Sequence, residues 1–350
     1  MNSVVPSSAN AVIPAMPPHR LSVVVPMYNE AENVEPLAKR VHEALSDYPH
    51  PWELLLVDDG SSDDTPLALE AATKHYGPHV RVVSLMRNFK QTAAMQAGVD
   101  AARGDVIVTM DGDLQNDPID IPRLVGRLLN ENLDLVAGWR KDRKDGMVLR
   151  KIPSRIANRL IARITGVKLN DYGCSLKAFR ADVIKNVRLY GEMHRFIPAW
   201  LATVTTPRRI AEEVVTHHAR QFGQSKYGIS RTFRVILDLI SVFFFMRYRA
   251  RPGHFFGGLG LIFGVIGSLI LTWLGALKLF TGASIGQRPL LQLGFFLIIA
   301  SFQFISTGVL AETLARIYFE SGAASQYRVR NPDEPGDSDS WHQPGQATGA

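Results

Sequence analysis

Acidic side chains recur in three short runs of this chain: Asn29-Glu30, Asp58-Asp59 and Asp111-Gly112-Asp113-Leu114-Gln115. In the last, alternate residues of an extended turn can present oxygen ligands to one hard cation, and Gly112 permits a tight backbone approach. A lone D-x-D is as readily a solvated turn, so its company matters. Like charges gathered in one place destabilise a fold unless something cationic lies among them. A Mg2+ or Mn2+ ion completed by a diphosphate and water would answer that need. The expectation is that carboxylates from separate loops meet around one divalent cation.

Other titratable groups read differently. His217 and His218 invite a metal reading, but adjacent positions of a strand point to opposite faces, so they are taken as structural. Cys174 is the single cysteine, which excludes an internal disulfide, and it has no Cys or His cluster beside it to make a zinc site. A reducing compartment is the simpler setting. The formal charge of +6 does not point to nucleic acid, because Arg231, Arg234, Arg247, Arg249 and Arg251 stand beside apolar segments and not among base-stacking aromatics. Anionic lipid is the better partner.

The three acidic runs each follow a short apolar stretch. Strands are expected at residues 21–26, 53–58, 80–85, 106–110 and 133–137, with helices at about 31–47, 66–76, 91–102 and 121–130, and Thr65 before Pro66 as a helix cap. This is a β-α repeat. Glu53-Leu54-Leu55-Leu56-Val57 and Val106-Ile107-Val108-Thr109-Met110 are apolar at nearly every position, as central strands covered on both faces require, so the sheet is expected to be mostly parallel. Ligands of such sheets sit beyond the carboxyl ends of the strands, where all three acidic runs would converge. Residues 150–250 are less regular, with a strand-like piece at 210–216.

The chain ends differ from the middle. Residues 1–19, rich in Ser, Pro and Ala, do not read as a signal peptide and are expected to form a disordered tail. Residues 229–245 place Arg231, Arg234 and Asp238 on one side of an apolar stretch, as an amphipathic helix at a membrane interface does, or else form a buried helix. Spans at 255–280 and 290–310 each exceed the ~20 apolar residues that cross a hydrocarbon core. Basic residues before the first span and after the second (Arg316, Arg328, Arg330) make both flanks cytoplasmic by the positive-inside rule. The expected organisation is a catalytic domain at 20–228, an interfacial helix at 229–250, a transmembrane hairpin at 251–318 and a cytoplasmic, largely disordered tail at 319–350. Gly257, Gly260, Gly264 and Gly267 offer a small-residue face for homo-oligomers.

In order and spacing, Val25-Pro26-Met27-Tyr28-Asn29-Glu30, Val57-Asp58-Asp59-Gly60-Ser61 and the D-G-D-L-Q run resemble the family 2 glycosyltransferases of the GT-A fold. Asn170-Asp171-Tyr172-Gly173-Cys174-Ser175-Leu176-Lys177-Ala178-Phe179-Arg180, the run from Arg220 to Gly228, and Arg316-Ile317-Tyr318-Phe319-Glu320 look like the polyprenyl-phosphate branch of that family. That branch includes dolichol-phosphate mannose synthases and bacterial undecaprenyl-phosphate enzymes with two terminal spans. The resemblance covers about residues 21–330. It implies that Pro26, Tyr28, Glu30, Asp58 and Asp59 hold the base and ribose of a nucleotide-sugar. It also implies that Asp111, Gly112 and Asp113 contact nucleotide and metal, with Gln115 as a further ligand. Arg140, Arg155, Arg220 and Lys226 would neutralise diphosphate or acceptor phosphate, with Asp113, Arg220 and Lys226 in the catalytic set.

The implied activity is inverting transfer of one sugar, UDP-hexose first and GDP-mannose next, to undecaprenyl or dolichyl phosphate at a bacterial inner membrane. Processive polysaccharide synthases carry Q-x-x-R-W where this chain has His194, Arg195 and Trp200, and that spelling argues against chain elongation. A Rossmann oxidoreductase would need G-x-G-x-x-G after the first strand, which is missing. A catalytically silent membrane scaffold of the same fold is the remaining alternative.

Overall fold

A computed structural model of the chain describes residues 15–141, 161–219 apart from 164, 190, 192 and 203, then 244, 248 and 252–320. It divides into two compact units: 1–238 with 325–350, and 239–324. Arg155, Arg220 and Lys226, the interfacial helix apart from 244 and 248, and the C-terminal tail beyond 320 lie outside the described residues.

The first unit is built on a seven-stranded sheet. Its strands are β1 (Leu21–Met27), β2 (Trp52–Asp58), β3 (Val80–Ser84), β4 (Val106–Thr109), β5 (Leu135–Trp139), β6 (Lys177–Arg180) and β7 (Ile210–Val214), in the order β3-β2-β1-β4-β6-β5-β7. Pairings β1–β2, β1–β4, β2–β3 and β5–β7 are parallel, and β6 alone runs against both its neighbours. The mostly parallel sheet expected from the apolar strands is therefore correct. The reversed strand is the one the hydropathy pattern does not reveal, because Lys177-Ala178-Phe179-Arg180 is too short and too basic at its ends to read as a strand.

Helices α1 (Ala31–Ala44), α2 (Thr65–Tyr76), α3 (Gln91–Ala101) and α4 (Ile121–Asn130) connect the strands. Val23, Val25, Leu54, Leu56, Val106 and Val108 share a buried cluster with Val34, Leu37 and Val41 of α1, Leu69 of α2 and Leu124 and Leu128 of α4. The alternate residues Val24 and Val57 face the other way, against α3. Each fully buried Leu or Val contributes about 1.5–3 kcal/mol over an exposed one, which explains why β1 and β2 carry so few polar residues. The exceptions are paired: Glu53 accepts from Ser22 Oγ at 2.6 Å and from Arg81 Nη1 at 2.6 Å.

Two local expectations need correction. Helix α2 begins at Thr65 itself, whose amide donates to Asp63 Oδ1 at 3.0 Å, so Thr65 is not its cap. The Thr65 hydroxyl instead accepts from the Glu30 amide at 2.9 Å and joins two of the acidic loops. Of the tail expected at 1–19, residues 15–19 are described, and they lie against the domain. His19 Nε2 is 2.6 Å from the Tyr48 hydroxyl, and Ala15 O accepts from Asn130 Nδ2 at 2.9 Å.

The second unit contains two helices, Pro252–Thr281 and Pro289–Glu320, which are long and apolar enough to cross a membrane. A Cβ added to Gly260 would lie 2.8 Å from Ile305 Cγ1, one on Gly264 2.7 Å from Ser301 Oγ, and one on Gly267 3.0 Å from Gly294 O. Three of the four glycines expected to face a second copy are thus taken up inside the hairpin. Small residues let two apolar helices approach closely, and the nearest partner here is the hairpin's own return helix.

Helix α3 packs hard on the sheet at Gly98, where a Cβ would come within 2.3 Å of Val24 Cγ1 and 2.9 Å of Val57 Cγ2. Gly98→Val is expected to destabilise the first unit by about 1–3 kcal/mol through overpacking. Denaturant unfolding of the variant beside the wild type measures it.

Candidate active site

Chain order places the site. From β1 the sheet grows outward through β2 to β3, then returns to the other side of β1 with β4, so the strand order reverses between β1 and β4. Crevices for ligands form at such a reversal, outside the carboxyl ends. Those ends carry Tyr28-Asn29-Glu30 after β1, Asp58-Asp59 in and after β2, and Asp111-Gly112-Asp113 after β4. The convergence expected from the apolar strands is what the parallel pairing produces.

A segment that the sequence reading passed over ties these loops together. Residues Arg87 to Gln91 run from the end of β3 into α3. Gly60, in left-handed conformation at φ 67, lies so close to Arg87 and Asn88 that a Cβ would stand 2.4 Å from Arg87 C. Asp59 Oδ1 accepts from the Phe89 amide at 2.7 Å. Gln91 Nε2 donates to Asp111 Oδ1 at 2.7 Å, and Thr92 Oγ1 is 2.6 Å from His194 Nδ1. Asn29, Lys90 and Leu114 are non-glycine residues at φ 54, 81 and 59. Strained backbone of this kind persists where surrounding contacts over-determine it, and here it marks three of the loops around one crevice.

The β1 and β2 loops are also cross-linked to each other. Ser61 Oγ accepts from the Asn29 amide at 3.0 Å, and Asn29 Oδ1 accepts from the Ser62 amide at 2.9 Å. Asp58 Oδ1 accepts from the Ser61 amide at 2.9 Å, and Glu30 accepts from Asn33 Nδ2. Asp58 and Asp59 are buried, while Tyr28 keeps 41% exposure and leaves an aromatic face open to a ligand. Burial pushes the Asp59 carboxyl above its ordinary value, with a further push from Asp58, against the pull of the Phe89 and Lys90 amides.

At the β4 loop, Gly112 sits over Met27, whose Cε would be 3.1 Å from an added Cβ. Asp113 is buried, and its Oδ1 accepts from the Gln115 amide at 3.2 Å. The Asp111 carboxyl is raised first by burial and then by the charge of Asp113, against opposing pulls from Ser175, Lys177 and Arg140. Two hard carboxylates that repel each other in a partly desolvated loop fit a magnesium or manganese ion, which would relieve both effects. Among the described residues no three acidic, His or Cys side chains are gathered as a cation site. The Asp59 carboxylate of the β2 loop accepts from the Phe89 amide, so the pair of carboxylates that suits one ion is Asp111 and Asp113 of the β4 loop.

Arg140, beyond β5, is held in a fork by Asp171, with Nε to Oδ2 at 2.7 Å and Nη2 to Oδ1 at 3.1 Å. Burial alone would lower its pKa, but the hydrogen bonds and charge of Asp171 more than offset this and raise it. Arg140 therefore stays cationic, with its plane fixed, near Asp111. Lys177 is buried and donates to Cys174 O. His217 forms a backbone bridge with Asn116, and His218 Nε2 is 2.8 Å from Asp117 Oδ2, so the pair braces the D-x-D loop as structural residues. Trp200 is buried in the short helix Ile197–Leu201.

Gln91, Asp171, Ser175 and Lys177 are the contributors that sequence reasoning left without roles. Gln91 opens helix α3, seven residues after the last residue of β3. Asp171, Ser175 and Lys177 stand inside a run quoted only for its resemblance, and their contacts depend on β6 pairing with β4.

The profile for "Glycosyl transferase family 2" matches residues 22–188. A dodecaprenyl-phosphate galacturonate synthase from Rhizobium johnstonii is 61% identical over 310 residues, covering 89% of this chain and 92% of that protein. An undecaprenyl-phosphate 4-deoxy-4-formamido-L-arabinose transferase from Serratia proteamaculans is 36% identical over 317 residues, covering 90% and 94%. Mannosyl-3-phosphoglycerate synthase from Rubrobacter xylanophilus superposes on 63% of this chain and 72% of its own with a TM-score of 0.50 at 15% identity, a likeness of fold alone. The chain belongs to glycosyl transferase family 2, has the GT-A fold with two long apolar helices added, and is a glycosyltransferase.

The raised Asp111 carboxyl implies a test on metal-free protein. A carboxyl whose folded pKa lies above its unfolded value makes stability fall as pH rises through that interval, and the deficit persists at neutral pH. Asp111→Asn is expected to match the wild type near the ordinary carboxylate pKa and to be the more stable of the two near neutrality, as denaturant titrations at both pH values in chelator would show.

Proposed function

We propose that this enzyme moves a single sugar, with inversion, from a nucleoside-diphosphate sugar to a polyprenyl phosphate. The juxtaposition of Asp111, Asp113 and the fixed Arg140 fork carries this reading: two anionic oxygens suited to a cation, beside a guanidinium suited to phosphate. Pro26, Tyr28, Glu30, Asp58 and Asp59 would hold the base and ribose, with the exposed Tyr28 ring against the base. Asp111 and Asp113, with Gln115, would hold Mg2+ or Mn2+. When bound, such an ion supplies charge stabilisation to the departing diphosphate.

The acceptor phosphate has a second pKa near ~6, so it is largely dianionic at neutral pH and needs no strong base. Its oxygen attacks the anomeric carbon as the bond to the nucleoside diphosphate breaks, and the electron pair leaves with the diphosphate. The protein's task is in-line placement and preorganised positive charge, to which Arg140 contributes from this chain, with Arg155, Arg220 and Lys226 proposed alongside it.

The sugar we favour is a UDP-linked hexuronate, because the Rhizobium relative is named for galacturonate and shares 61% of aligned residues. UDP-hexose and GDP-mannose follow. A polyprenyl tail stays in the bilayer, and the two apolar helices suit a protein anchored there with its first unit on the cytoplasmic side.

Purified full-length protein in vesicles with undecaprenyl phosphate, Mn2+ and, in parallel, UDP-galacturonate, UDP-glucuronate, UDP-glucose and GDP-mannose tests this. Formation of a lipid carrying one hexuronate is expected, reduced about a hundred- to thousandfold in Asp113→Ala. A lipid carrying several sugars, or none with any donor, would overturn the reading.

A further inference from the structure

Gln91 bonds to a proposed cation ligand, yet the transfer chemistry above gives it no part. It opens α3, and its Nε2 donates to Asp111 Oδ1 at 2.7 Å. An ionised carboxylate only accepts, so the amide nitrogen is the end of glutamine that it requires. Asp111 stands two residues beyond β4, in a loop, where the direction of its carboxylate is set by whatever bonds to it. A donor at hydrogen-bond distance is therefore a constraint on where that carboxylate faces.

The reach of Gln91 is fixed by its neighbours. Lys90, just before it, has φ 81 and ψ 159, a region that side-chain-bearing residues keep only when contacts on both sides compel it, at a cost of about 1–3 kcal/mol. On one side the Phe89 amide donates to Asp59 Oδ1 at 2.7 Å, and Arg87 and Asn88 lie against Gly60. On the other, the Ala93 and Ala94 amides donate to Lys90 O at 3.0 and 3.1 Å, and the buried Thr92 has its Oγ1 2.6 Å from His194 Nδ1. One short segment thus meets two loops at once, the β2 loop through its backbone and the β4 loop through the Gln91 side chain.

We propose that Gln91 is a positioning residue for Asp111: carried on a turn anchored to the β2 loop, its amide donates to Oδ1 and presents the carboxylate to a divalent cation in one orientation. The inference rests on the reading that Asp111 and Asp113 hold such an ion. Gln91 acts through the carboxylate and is not itself a ligand. Partners behind metal-binding carboxylates orient them, and their removal typically weakens metal affinity by about 10–100-fold.

The test is Mn2+ binding by full-length protein in the presence of UDP, followed by the loss of the free-ion electron paramagnetic resonance signal, with no turnover required. Gln91→Met keeps the length of the side chain and suits a helix, but has no donor; it is expected to bind Mn2+ roughly tenfold more weakly. Gln91→Ala is expected to show the same loss, which assigns it to the missing donor and not to the bulk of methionine. Gln91 is exposed at the start of a helix, so both variants are expected to melt with the wild type. Calorimetric binding of UDP in chelator supplies a second readout. Gln91→Met is expected to match the wild type there, because the contact of Phe89 with Asp59 is untouched. A wild type that fails to bind Mn2+ sinks the cation reading itself. Wild-type Mn2+ affinity in either variant, or a loss of metal-free UDP binding as large as the loss of Mn2+ binding, overturns the positioning role of Gln91 alone.

Discussion

Asp111 and Asp113 stand two residues apart beyond β4, and burial makes the charge on Asp111 harder to keep beside its neighbour. An arrangement of that kind persists in a folded protein when the surroundings force it and a bound cation rewards it. Here the surroundings are specific. Gly112 lies over Met27, Leu114 is held at positive φ, His218 pairs with Asp117, and Asn116 reaches Ser175. The contacts of Gly112, Asp117 and Asn116 come from three different segments, so the loop is held from several sides at once.

The same economy of elements explains how the fold serves the chemistry. Parallel pairing of β2, β1 and β4 delivers three acidic loops to one edge, and the segment from Arg87 to Gln91 ties the loops after β2 and β4 through the Phe89 amide and the Gln91 side chain. The antiparallel β6 then brings Ser175 and Lys177 under the D-x-D loop, with Arg140 and Asp171 paired close by. In the proposed reaction, Arg140 on that side would face the leaving diphosphate. The two apolar helices form a unit of their own, closed by glycines against Ser301, Ile305 and Gly294.

Much of this was legible in the sequence because it is written in period and punctuation. Short continuous apolar runs such as Leu54-Leu55-Leu56-Val57 suit central strands covered on both faces, and the acidic runs behind them then fall at strand ends. The lengths of the apolar helices are equally plain. What was hidden depends on pairing between distant segments. Nothing in Lys177-Ala178-Phe179-Arg180 announces an antiparallel strand, so the links from Ser175 to Asn116 and from Asp171 to Arg140 could not be read in advance. Thr65 misled because a good capping residue has a second use, accepting from the Glu30 amide across two loops.

The proposed cation site of the β4 loop is the point on which the proposed chemistry turns, and its location can be measured directly. Crystals of the protein grown with UDP and Mn2+, examined by anomalous scattering at the manganese edge, would give the ion's position without reference to activity. A single manganese peak in coordination contact with Asp111 and Asp113 oxygens and with the diphosphate is expected. A peak held elsewhere, with both carboxylates out of contact, contradicts it.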